Sequence, residues 1–192
     1  MRKFQQNLSN FKSGDFSSLQ HKFVLNEIIE DKNFSGYYFN RVKFFNCSFR
    51  AVNFAELDGS SLIFCNCQFN DTSFYKAELI EIHFQNCQFI NCNFRSSWLG
   101  SVSYMNCQLN NIDFICADFL WCKFEKSQLF EIYFDASTIE DLTIKNSTLK
   151  DIKFNYIFVL KVVPKNCIST LKEFRIENYN QFLIEFVKEE SC

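Results

Sequence analysis

From Phe34 to Phe154 every fifth residue is apolar, with Gly59 the one exception, and sixteen of these 25 positions are Phe. A helix repeats its buried face every 3.6 residues and a strand every two, so a period of five belongs to neither alone. It is the mark of a tandem array. The residue two before each centre is usually small or apolar as well, as in Val42, Cys47, Val52, Leu57, Leu62 and Cys67. The other three positions are mostly polar or charged. Each unit therefore offers two side chains to an interior and three to solvent. Gly59 leaves an empty centre, which Leu57 is placed to fill.

A second period of twenty lies over the first. Phe34, Phe54, Phe74, Phe94, Phe114, Phe134 and Phe154 form one column. Cys47, Cys67, Cys87 and Cys107 form another, continued by Ser127 and Ser147. A third column runs Asn46, Asn66, Asn86, Asn106 and Asn146, broken by Lys126, and Gln68, Gln88, Gln108 and Gln128 make a fourth. Four units per turn stack residues twenty apart. Successive turns then lie about 4.8 Å apart, the spacing of hydrogen-bonded strands, and six periods span roughly 30 Å. Stacked Phe rings at that distance reach the short end of favourable offset packing. The Asn column suits corners, where Asn tolerates unusual dihedrals and can bond along the ladder.

Ala77-Glu78-Leu79-Ile80-Glu81, Ala117-Asp118-Phe119-Leu120-Trp121 and Val52-Asn53-Phe54-Ala55-Glu56 come close to Ala-(Asp/Asn)-Leu-x-x. The chain thereby resembles the pentapeptide-repeat family over residues 32–156. The resemblance implies an all-β solenoid, a right-handed quadrilateral parallel β-helix of about six coils. Phe in place of Leu at the centre, and Cys in place of Ala two before it, are expected to widen the core and keep the fold.

Both ends of such a tube need covers. Residues 1–31 form the first flanking segment. Leu19, Phe23, Val24 and Ile28 have helical spacing, which predicts an amphipathic cap helix over 18–31 facing the first coil. Residues 157–192 form the second. Tyr156 to Val163 reads as a strand or extended cover stopped by Pro164. Thr170-Leu171-Lys172-Glu173 is a capping box, opening a helix to about Lys188 with Leu171, Phe174, Phe182 and Phe186 on one side. That helix is either a C-terminal cap or, as the resemblance implies for several family members, a homodimer contact.

Composition narrows the functional classes. Twenty basic and 22 acidic residues give a net charge of −2, too balanced for direct nucleic-acid binding. Apolar runs are interrupted within a few positions and no apolar stretch follows the charged N-terminus, so neither a membrane span nor a secretory signal is expected. A cytoplasmic location follows as an expectation. Of the ten Cys, Cys47, Cys67, Cys87, Cys92, Cys107 and Cys122 fall on inward positions, where a thiol acts as a small hydrophobe. The spacings Cys65-x-Cys67 and Cys87-x4-Cys92 suggest zinc until phase is considered: the thiols then point to different sides and no His stands by. His83 is outward and His21 lies in the predicted cap. Neither neighbours a nucleophile, no glycine-rich phosphate loop is present, and no catalytic, metal or cofactor site is expected.

Large apolar side chains at outward positions are the main departure from the pattern. Ile80 and Leu120 share a column with Gly100 between them, and Trp98 and Trp121 adjoin it on the same face. Two Trp in one cluster point to a partner contact or to burial beneath a terminal segment. Glu56, Asp58, Glu78, Glu81, Asp118, Glu140 and Asp141 lean toward that same face and its corners. The first functional expectation is a non-enzymatic interaction or scaffold module with a protein partner. The alternative, implied by the resemblance, is a DNA-mimicking protein that binds a topoisomerase, gyrase, through an acidic surface.

Overall fold

The computed structural model describes residues 18–159, 162–167 and 174–177. Among them the chain winds into a parallel β-solenoid of about seven turns. The first turn carries β1 (Ser18–Gln20), β2 (Phe23–Leu25) and β3 (Ile28–Glu30). Each begins an eight-stranded parallel sheet in which every third strand is a neighbour. The register advances by twenty residues, as in Phe44↔Phe64 and Gln68↔Gln88. A fourth side is closed by the bridges Asn33↔Asn53, Asn53↔Ser73 and Ser73↔Asn93. Farther along, strands of the third sheet run on around the corner, pairing Asn93↔Asp113 and Asp113↔Tyr133.

The five-residue period arises at the corners. One residue in five has φ near +50 to +57°, including Asn46, Asn66, Asn86 and Asn106. Side chains resist this left-handed region, and Asn tolerates it best. The bend re-aims the chain after three extended residues, so centre and pre-centre positions both turn inward. On the fourth side the corner is a hydrogen-bonded turn, such as Leu57 N to Phe54 O at 3.1 Å, with positive φ at Glu56 and not at Ala55. That is the type II pattern. Asn or Asp one before the centre supports it: Asn53 Oδ1 accepts from Ala55 N at 2.9 Å, and Asp113 Oδ1 from Ile115 N at 2.8 Å.

The interior is a set of aromatic columns. Phe34, Phe54, Phe74, Phe94, Phe114, Phe134 and Phe154 stack in order with centroids 4.5–5.4 Å apart. Phe44, Phe64, Phe84, Tyr104 and Phe124 form a second column at 4.6–5.0 Å. Rings on adjoining sides meet edge to face, as do Phe84 and Phe89 at 5.0 Å. Each buried ring contributes about 1.5–3 kcal/mol by area. All six inward thiols expected from the sequence are buried and free. The Cys87 Sγ lies within reach of Gln85 O (3.4 Å) and Phe64 O (3.3 Å), so the thiols tie turn to turn. At Gly59 three leucines fill the gap: a methyl there would meet Leu62 Cδ1 and Leu79 Cδ2 at 3.1 Å and Leu57 Cδ2 at 3.5 Å.

The ends differ from expectation. Residues 18–30 form three strands, not a cap helix. Leu19, Val24 and Ile29 continue the phase of the centres and are buried, whereas Phe23 and Ile28 point outward, 49% and 60% exposed. The second inward position of this turn holds Lys22, Glu27 and Lys32, which disguises the repeat and leaves a helix-like spacing of apolar residues. The array thus runs about one turn beyond the expected six. At the other end β22 (Phe158–Val159) and β23 (Val162–Lys165) stay in phase. Pro164 pairs opposite Ile144 rather than ending the strand. Among the described residues β23 is the last strand of its sheet, an edge at which a missing N–H costs no ladder bond. The helix expected from Thr170 is replaced over Phe174–Glu177 by β24, paired Ile152↔Phe174 and so 22 residues on rather than twenty. Leu171, Phe182 and Phe186 lie outside the described residues.

Candidate functional site

The sheet begun by β1 contains β10 (Glu78–Ile80), β13 (Trp98–Gly100) and β16 (Asp118–Leu120) as consecutive neighbours. Residues flanking each centre point outward, so the face carries two ladders. One reads Asp58, Glu78, Trp98, Asp118; the other reads Ser60, Ile80, Gly100, Leu120. The structure therefore brings Ile80, Trp98 and Leu120 together as their phase requires. Trp121 occupies the following corner, with φ +56° and 64% exposure.

The Trp98 ring lies across its own strand. A methyl on Gly100 would meet Trp98 Cη2 at 3.5 Å, Cζ2 at 3.7 Å and Cζ3 at 3.8 Å. Gly100 is buried although its position is outward, because the indole covers it. Trp98 itself keeps 36% exposure, and Ile80 and Leu120 are half-buried on either side. The outcome is a flat apolar platform on a rigid sheet. The glycine makes room for it: a longer side chain there would lift the ring.

Carboxylates border this platform. Asp58, Glu78, Glu81, Asp118 and Glu140 are exposed. Among the described residues the ion pairs lie on other sides: Arg50–Glu30, Arg95–Asp113 and Lys123–Glu125. Glu81 Oε2 accepts from Ser61 Oγ at 2.9 Å. Lys76 turns away, its Nζ lying 5.2 Å from the Tyr75 ring centroid.

A second surface feature is a shallow groove along the corner between the sheets begun by β2 and β3. It is lined by Asn66, Asn86 and Asn106 on one side and Gln68, Gln88 and Gln108 on the other. Its asparagines already bond to one another, Asn86 Nδ2 to Asn66 Oδ1 at 3.0 Å and Asn106 Nδ2 to Asn86 Oδ1 at 3.2 Å. The ladder is structural. The apolar residues Phe45, Tyr75, Ile90, Met105, Ile115, Phe130 and Tyr133 are half-buried and scattered over several sides. Sequence reasoning missed the exposed Phe23, stacked on the half-buried Phe45 at 6.5 Å with Lys43 over the Phe23 ring; the assignment of Phe23 to a helix concealed the contact. His21 and His83 are both exposed. Among the described residues no group of three His, Cys, Asp or Glu side chains is arranged to hold a metal ion. No helix among the described residues is long and apolar enough to cross a membrane.

The family model for the pentapeptide repeat region matches residues 37–114 and 60–134. No curated protein matches the chain. Among solved structures, a trypsin-treated variant of QnrB1, a plasmid-mediated fluoroquinolone resistance protein, is 19% identical. That match covers 84% of this chain and 92% of the other, with a TM-score of 0.51. The pentapeptide repeat protein Rfr23 from the cyanobacterium Cyanothece 51142 is 11% identical over 60% of this chain and 90% of its own, with a TM-score of 0.54. These likenesses establish the fold.

Proposed function

Since the chain belongs to the pentapeptide-repeat family, we propose that it is a non-enzymatic interaction module whose rod presents the Ile80, Trp98, Leu120 and Trp121 face to a protein partner. The observation that supports this most is the Trp98 ring spread over a buried Gly100 with one side open, beside a second Trp that is 64% exposed. A Trp held rigid at a surface is a binding anchor of high yield, because little entropy is lost on contact. The repeat supplies the rigidity: β10, β13 and β16 are each hydrogen-bonded to a strand on both sides. Replacing Trp98 and Trp121 together by Ala is expected to abolish partner capture and to leave the melting temperature within about 2 °C, since neither ring enters the core. An unchanged set of captured partners would remove this surface from consideration. Homodimerisation through Leu171, Phe174, Phe182 and Phe186 belongs to the same reading and is checked by sedimentation before and after Phe182→Glu with Phe186→Glu.

A second reading rests on the carboxylates. Asp58, Glu78, Glu81, Asp118 and Glu140 recur along one side of a rod, and charges in such a series imitate the phosphates of a duplex. QnrB1, which has this fold, is a fluoroquinolone resistance protein. On this reading a topoisomerase is the partner. Supercoiling by gyrase, with and without a fluoroquinolone, should respond to micromolar amounts of the protein; no response would discard it.

A further inference from the structure

We propose that the Trp98 platform is a receptor for an arginine side chain, carried on an otherwise apolar segment of the partner protein. The proposal rests on the interaction reading above and names the partner's chemistry. In the ladder through Trp98 the residue on one side is Glu78 and on the other Asp118. Their backbones each stand one strand spacing, about 4.8 Å, from that of Trp98. Both are exposed, and neither is in an ion pair among the described residues. At the preceding corner, the Lys76 Nζ lies 5.2 Å from the Tyr75 ring centroid.

An aromatic face that lies over Gly100, on a strand whose two neighbours carry the unmatched carboxylates Glu78 and Asp118, is complementary to a planar cation. Guanidinium stacks on an indole and can give parallel N–H donors to a carboxylate in the same approach. A lysine ammonium lacks the plane and the fork, so it satisfies only part of the site. Because the ring itself reaches over Gly100, residues beside the arginine would meet Ile80 and Leu120 on the two flanking strands. Between Ser60 and Leu120 their ladder carries no charge, so it favours apolar neighbours such as leucine there. Aliphatic or aromatic segments without a cation would leave Glu78 and Asp118 partly desolvated and unpaired, which disfavours them. Phosphates and nucleic acid are excluded by repulsion from the same pair.

The test uses the full-length chain labelled with 15N, in which two tryptophans give two indole N–H signals; Trp98→Phe assigns them. An acetylated, amidated Leu-Arg-Leu peptide should shift the Trp98 indole signal saturably. The same peptide with citrulline, a neutral isostere, should bind roughly tenfold more weakly, the size of one charge-assisted contact. Glu78→Gln with Asp118→Asn should weaken the arginine peptide by a similar factor while thermal unfolding stays unchanged. Absence of a saturable shift up to millimolar peptide overturns the proposal, as does equal binding of the citrulline form. Protection of the Trp98 indole from a soluble paramagnetic agent in the free protein also overturns it, because a segment of the chain itself would then cover the face. If partner capture is lost on mutating both tryptophans but survives Glu78→Gln with Asp118→Asn, the interaction reading stands and the arginine receptor falls. Should capture survive both, the two fall together.

Discussion

Tyr104 occupies a centre that the repeat otherwise fills with Phe. Its ring stacks between Phe84 at 4.9 Å and Phe124 at 4.6 Å, so the aromatic part fits the column. Its hydroxyl is buried without a hydrogen-bond partner. Burial, and to a lesser degree the neighbouring Cys122, Cys107 and Cys92 thiols, pushes its pKa well above the usual phenol range. An orphaned buried hydroxyl costs about 1–3 kcal/mol. Tyr104→Phe should therefore stabilise the protein by about 1 kcal/mol in urea unfolding, with no change in fold. Phe74→Ala, by contrast, removes a ring held 4.5 Å from Phe94 and 5.2 Å from Phe54, and the hole cannot collapse between rigid turns. That it is a centre was legible in the sequence; that Tyr104 has no partner was not, because satisfaction depends on neighbours from other turns.

At the scale of the element, corners decide more than strands. The strands are only three residues long over most of the rod, too short to stand alone, and are held by pairing with the turns above and below. Corner side chains add a second ladder: Asn46 Nδ2 donates to Asn26 Oδ1 at 3.0 Å, and the series runs through Asn66 and Asn86 to Asn106. Lys126 interrupts it, in a left-handed conformation with φ +53° that favours Asn over Lys. Lys126→Asn would place an amide between Asn106 and Asn146 and should raise stability by about 0.5–1 kcal/mol, read as a higher melting temperature. The Asn column and its role at corners were visible in the sequence. The first-turn strands were not, since Lys22, Glu27 and Lys32 replaced the second inward residue and left only Leu19, Val24 and Ile29 in phase.

The whole rod is a one-dimensional stack, so its stability is a sum over turns and their junctions. Its buried thiols make that sum sensitive to alkali. Burial pushes the Cys122 thiol up to about 11 and the Cys92 thiol up to about 12, from 9.0. Below pH 9 both are protonated whether the chain is folded or not, and their contribution is fully present. Above it the unfolded chain ionises while the folded one does not, so stability falls with rising pH until the folded pKa values are passed. The melting temperature should hold to about pH 9 and decline toward pH 11, and Cys122→Ala should make the decline shallower. An equal slope in that variant would show that the thiol is not held neutral inside.

The sequence by itself determined the period, the turn length and the identity of nearly every inward side chain, because a solenoid repeats one local environment and writes it into the chain every five and every twenty residues. Only the tertiary structure decided what happens where that repetition fails: that residues 18–30 are a turn of the rod, that Leu57, Leu62 and Leu79 close over Gly59, and that Trp98 folds across Gly100 to make a platform between Ile80 and Leu120. Those outcomes depend on contacts between turns twenty residues apart, which are set by side-chain shape across the stack and leave no period in the chain.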